Sequence, residues 1–227
     1  MLSFHIKQRD VLFIILAVVL LFSGSACTKT VHALVQDENG NPVQNAVVFA
    51  ATTQSGDQAQ PSVTGTVTEK RDSIELRNQK IIPSVLPVQI GTSVSFLNRD
   101  AIQYRIYSIS PAKQFELMIE KGGSSSCVVF DKPGVVVMGS ANNDHMIGYI
   151  YALKTPWFAR TGTDGKAALR DLPQGTYDVR VWHPAMKCPP EATTKRVAPS
   201  SQGDANVKFA IPLQAAQNPE RAAAGEK

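Results

Sequence analysis

The sequence predicts an all-β protein. Apolar and polar residues alternate through Val31, Ala33 and Val35, and again through Tyr177, Val179 and Val181. That is the period-two pattern of half-buried strands. Dense turn signals separate short apolar runs, Asp37-Glu38-Asn39-Gly40-Asn41-Pro42 and Asp164-Gly165 among them. The 227 residues leave room for one large or two small domains, and a hydrophobic content of 43% suits a packed core.

Taken in order, the chain opens on a leader. Lys7 and Arg9 precede an apolar run, Val11 to Phe22, and then the small residues Ser23-Gly24-Ser25-Ala26. Residues 1–26 therefore read as a secretory signal peptide. The run is short for a spanning helix, so an uncleaved anchor is the competing reading. Cys27 follows small residues as in a bacterial lipobox, which it resembles only in part, since Gly24 stands where an aliphatic residue is usual. It is the candidate lipidation site. The expected location is periplasmic or secreted, with membrane association through the leader or a lipidated Cys27.

A first strand surrounds Val31 to Val35 and a second runs from Val47 to Ala51, with a polar loop over Thr52 to Pro61. Val63 to Val67 and Ser73 to Leu76 read as short strands. Gly91 gives a tight turn, and Val94 and Phe96 share one strand face. Asn98 and Asp100 suit a turn that hydrogen-bonds its own backbone. Ala101 to Ser108 and Phe115 to Glu120 are further strands. Asp131-Lys132-Pro133-Gly134 turns into the apolar run Val135 to Met138, which breaks into a polar loop, Gly139 to Asp144, and ends on His145-Met146. Trp157 and Phe158 follow a linker. They are a candidate exposed aromatic pair for a protein or glycan, against the plainer reading of interdomain packing. Pro173-Gln174-Gly175 is a turn, Val207 to Pro212 a last strand, and residues 214–227 an Ala-rich tail expected to be disordered.

Two resemblances organise these pieces. Residues Thr30 to Ala51, with their D-x-x-G-x-P-V turn, and the later T-x-x-D-G … L-x-x-L-P-x-G-x-Y-x-V pattern from Thr161 resemble a carboxypeptidase-regulatory-like or transthyretin-like β-sandwich, of Ig-like type. About a hundred residues separate the two halves, beyond any ordinary loop. Between them, Ile81 to Asp100 resembles the cupredoxin stretch F-x-P-x-x-x-x-V-x-x-G-T-x-V-x-F-x-N-x-D of periplasmic plastocyanin-like, or methylamine utilisation, proteins. The implied architecture is a cupredoxin-like Greek-key sandwich over 61–154, inserted in a split sandwich over 29–58 plus 155–213.

The cupredoxin resemblance also implies a copper site. Relatives place a His where Tyr104 stands here. Anchoring their Cys-x-x-His-x-x-Met group on Met146 puts Asn143 at the His and Ser140 at the Cys. A hydroxyl cannot replace the thiolate that defines a blue-copper centre, and Asn and Tyr are far poorer copper ligands than imidazole. No copper is expected. The alternative is a rebuilt site drawing on His145 and His183, with Cys127 or Met138. Cys127 and Cys188 could also pair as a disulfide, or remain two unpaired thiols.

Other classes are disfavoured. The net charge is +4, with Lys and Arg scattered among acids, which argues against a nucleic-acid surface. P-loop, G-x-G-x-x-G and H-E-x-x-H motifs are absent. No Ser, His and acid stand in a nucleophile-elbow context, so no enzyme is expected. The sequence reading is an exported, non-catalytic protein that binds an envelope protein or glycan. An electron-transfer or copper-carrier protein is the alternative.

Overall fold

The computed structural model describes residues 29–53, 70–199 and 204–214. The leader, Cys27, the strand expected at Val63 to Val67 and nearly all of the C-terminal tail lie outside them. Among the described residues no helix is long and apolar enough to cross a membrane.

The chain begins with β1 (Lys29–Asp37) and β2 (Val47–Thr52). Nine strands follow: β3 (Arg71–Arg77), β4 (Lys80–Ile82), β5 (Val85–Gln89), β6 (Thr92–Asn98), β7 (Tyr104–Ser110), β8 (Lys113–Ile119), β9 (Val128–Phe130), β10 (Gly134–Ser140) and β11 (Asn143–Leu153). Then come β12 (Phe158–Arg160), β13 (Lys166–Leu172), β14 (Tyr177–Trp182), β15 (Lys195–Val197) and β16 (Ala205–Ile211). Strands β1, β2 and β12 to β16 form one sandwich, with sheets ordered β13-β1-β16 and β12-β2-β14-β15. Strands β3 to β11 form the other, with sheets β4-β3-β6-β9 and β5-β11-β10-β7-β8. The second sandwich is thus wholly contained between β2 and β12 of the first.

Alternation explains the first core. Val31, Ala33 and Val35 point inward from β1, Tyr177, Val179 and Val181 from β14, and Phe209 and Ile211 from β16. The turn after β1 is held by Asp37, whose carboxylate accepts the Asn39 and Asn41 backbone N–H groups and the Asn41 side chain. Those bonds hold its carboxyl below the usual carboxylate range. The turn before β13 needs Gly165: its φ is +70°, and an added Cβ would lie 2.5 Å from the Val35 carbonyl oxygen.

The second core gathers Ile74, Leu76, Phe96, Tyr104, Ile106, Phe130, Val136, Met138, Met146 and Ile150 from both of its sheets. Asn98 closes one end. Its side-chain amide donates to the carbonyls of Ile102, Ile119 and Glu120, and its Oδ1 accepts the Asp100 N–H.

The sandwiches meet through a third apolar cluster. Strand β2 is buried on both sides: Val48 and Ala50 enter the first core, while Val47 and Phe49 face the second sandwich. There they meet Val85 and Leu153, ringed by Tyr149, Tyr151, Phe158 and Trp182. The Tyr151 and Trp182 rings lie 5.1 Å apart, and Phe49 meets Tyr151 edge-on at 5.6 Å. A continuous apolar run such as Val47-Val48-Phe49-Ala50 is what a strand buried on both sides requires.

Candidate functional site

The four positions matched to copper ligands sit at one end of the second sandwich. Tyr104 starts β7, Ser140 ends β10, and Asn143 starts β11. The polar loop expected over Gly139 to Asp144 is not formed. A two-residue turn, Ala141-Asn142, makes Ser140 and Asn143 direct partners across a tight hairpin. Residues 144–146 then bulge out of register before Ile147 pairs with Gly139. The bulge turns Met146 into the core, where it is buried with Met138 and Tyr104.

Hydrogen bonds link two of the four positions, Tyr104 and Asn143, through Asp100 and Gln79. The buried Tyr104 hydroxyl donates to Asp100 Oδ2 at 2.7 Å. Asp100 also accepts the backbone N–H groups of Asn78, at 2.7 Å, and Gln79, at 3.0 Å. Gln79 Oε1 in turn accepts Asn143 Nδ2 at 2.9 Å. A phenol, a carboxylate and two amides thus bridge strands β3, β4, β7 and β11. Ser140 bonds separately: its hydroxyl donates to Asn142 Oδ1 at 3.4 Å, and Asn142 Nδ2 donates to the Gln103 carbonyl at 2.8 Å.

The electrostatics follow from these partners. The Gln79 N–H, then the Tyr104 hydroxyl, hold the Asp100 carboxyl below the usual range. Burial, reinforced by the Asp100 charge, pushes the Tyr104 phenol up to about 12. It is a neutral hydrogen-bond donor at ordinary pH.

This donor set does not fit a blue-copper ion. Its hydroxyls and amide are engaged with Asp100, Asn142 and Gln79, and no thiolate or imidazole stands among them. Among the described residues, no three His, Cys, Asp or Glu side chains group to hold a metal. Nor does the structure bring the dispersed alternative together. His145 is exposed on the bulge of the second sandwich. His183 belongs to the first, where its Nδ1 accepts the Ala185 N–H and a further backbone hydrogen bond runs to Gln44. Burial lowers its pKa below the ordinary imidazole value. Cys127 is exposed just before β9, and Met138 is sealed in the core.

Two further expectations are corrected. Trp157 and Phe158 are not an exposed pair. Trp157 packs edge-on against Tyr177 at 5.4 Å and donates its indole N–H to the Asp171 carbonyl, while Phe158 turns to the inter-sandwich cluster. Successive strand residues point to opposite faces, so the two rings part company. Cys127 and Cys188 are not bonded to one another; both thiols are free. Sequence reasoning missed Gln79 and Asn142. Asn78 and Gln79 both take positive φ, 52° and 57°, in the two-residue β3–β4 turn. That turn type aims consecutive N–H groups outward, and Arg77-Asn78-Gln79-Lys80 was its only local signal.

No family model matches the chain, and neither does any curated protein. Solved structures of copper proteins overlap part of it. A reduced tryptophan-to-tyrosine variant of amicyanin is 18% identical over 38% of this chain and 86% of its own, with a TM-score of 0.34. A copper-containing nitrite reductase from Thermus scotoductus is 21% identical over 37% of this chain and 22% of its own, with a TM-score of 0.35. A purple cupredoxin from Nitrosopumilus maritimus is 20% identical over 36% and 98%, with a TM-score of 0.32.

Proposed function

We propose that this is an exported, non-catalytic envelope protein that works by binding through its β-surfaces. In this reading its second sandwich is cupredoxin-like, and the positions of a copper site have become a structural strut. The observation that carries the reading is the chain Tyr104–Asp100–Gln79–Asn143. Tyr104 donates its hydroxyl to Asp100, while Asn143 donates its amide N–H to Gln79 and accepts the His145 backbone N–H on its Oδ1. A metal entering here would first have to break those bonds, with neither a thiolate nor an imidazole to offset the loss.

Copper loading tests this. The purified chain, incubated with excess Cu(II) and dialysed, is expected to retain no stoichiometric copper. It is also expected to show no intense thiolate-to-copper absorption in the visible. One copper per chain after dialysis sinks the reading and makes the protein a copper carrier or electron-transfer protein.

A further inference from the structure

We propose that the uncovered part of the β5-β11-β10-β7-β8 sheet is an interface with a second copy of this chain, closed patch on patch about a two-fold axis. This rests on the reading that the protein acts through its β-surfaces, and it names the surface and the partner.

One end of this sheet's outer face is already occupied. Tyr149 and Tyr151 on β11 lie under Trp182 of the first sandwich. The same face continues uncovered across β10, β7 and β8. Gly139 sits opposite Ile147 on one side and Tyr107 on the other. Because Gly139 lacks a side chain, the Tyr107 ring lies across it; an added Cβ would stand 3.4 Å from the ring. Val137 flanks this pair. Ile109 is 81% exposed and Met118 60% exposed on the neighbouring strands. The patch is therefore continuous with the inter-sandwich interface. The covered end also shows what suits it, the aromatic face of another β-sheet.

Composition and charge select the occupant. An apolar centre with Tyr and Met, crossed by Arg and bounded by charged residues, matches the core and rim of a protein interface. Arg105 and Glu116 pair across β7 and β8 within the patch, and Asp144 stands at its margin. A face carrying both signs can meet its own copy, whereas one of a single sign would repel it. A lipid headgroup layer would call for a cationic rim, which the acids oppose. The three uncovered strands span about 350 Å² in plan at usual strand spacings. Stable dimers bury about 800 Å² per partner, so the contact belongs to the exchanging class.

Sedimentation velocity under reducing conditions with a chelator present tests this, on the chain as its host processes it. The average mass should climb toward that of a dimer between about 10 μM and about 1 mM. Ile109→Lys and Met118→Lys, both at exposed positions, should each raise the association midpoint at least ~10-fold. Circular dichroism melts would show that both variants still fold. A wild type that stays monomeric throughout overturns the proposal, as does association that neither variant weakens. A monomer that instead cosediments with anionic phospholipid vesicles, or binds a soluble oligosaccharide at Tyr107, also overturns it and gives the face to lipid or sugar. Because the chelator removes copper, this outcome is independent of the copper-loading result.

Discussion

At Tyr104 a phenol occupies the start of a core strand and hands its proton toward a carboxylate. Removing that hydroxyl leaves Asp100 with two backbone donors and partial access to water, so the loss is modest. Tyr104→Phe is expected to lower stability by about 1 kcal/mol in urea unfolding. An unchanged midpoint would mean that the strut holds nothing. The alkaline titration gives a second check. Folding raises this phenol from about 10 to about 12, so the protonated group favours the folded state. That contribution is complete below about pH 10 and fades as pH rises toward 12. Tyr151 and Tyr177 are raised by burial as well, so the late tyrosinate absorbance of the wild type should be smaller by one phenol in Tyr104→Phe rather than abolished.

Among the elements, the β12–β13 connection depends on one backbone conformation. Gly165 takes φ +70°, its N–H donates to the Gly162 carbonyl, and its own carbonyl accepts the Val35 N–H. Any side chain there is strained, and it meets the Val35 carbonyl oxygen as well. Gly165→Ala should cost about 2 kcal/mol or more and expose the β1–β13 amides to faster hydrogen exchange. Protection equal to the wild type's would refute that account. The Asp164-Gly165 turn was legible in the sequence, because a turn's demand for Gly is local. So was the inward set of β1 and β14, since period-two alternation belongs to the strand itself. The hairpin at Ser140 and Asn143 was not. Small polar residues from Gly139 to Asp144 read as a loop, yet Ser140 and Asn143 pair across a two-residue turn and a bulge after it takes up the extra residues.

On the scale of the whole molecule, two sandwiches are joined by an aromatic seam. Trp182 is the seam's largest side chain, touching Tyr149 and Tyr151. Trp182→Ala is expected to cost about 2 kcal/mol, below the full-burial range because the ring is only half buried. Its larger effect should be on cooperativity: calorimetric unfolding should split into two transitions as the sandwiches uncouple. A single shifted transition would show that the seam does not couple them. The same seam explains why Phe158 packs between the sandwiches and why one sheet is covered at only one end.

By itself the sequence determined that this chain is all-β, where most described strands fall, and which turns need Gly or Asn. Those features depend on neighbours a few residues apart. Tertiary structure alone decided that Asp100 would receive Asn78, Gln79 and Tyr104 together, that Trp157 and Phe158 would serve different cores, and that Cys127 and Cys188 would stay apart. Each depends on which sheet faces which, and alternation along a strand says that a residue points to one face without saying what waits there.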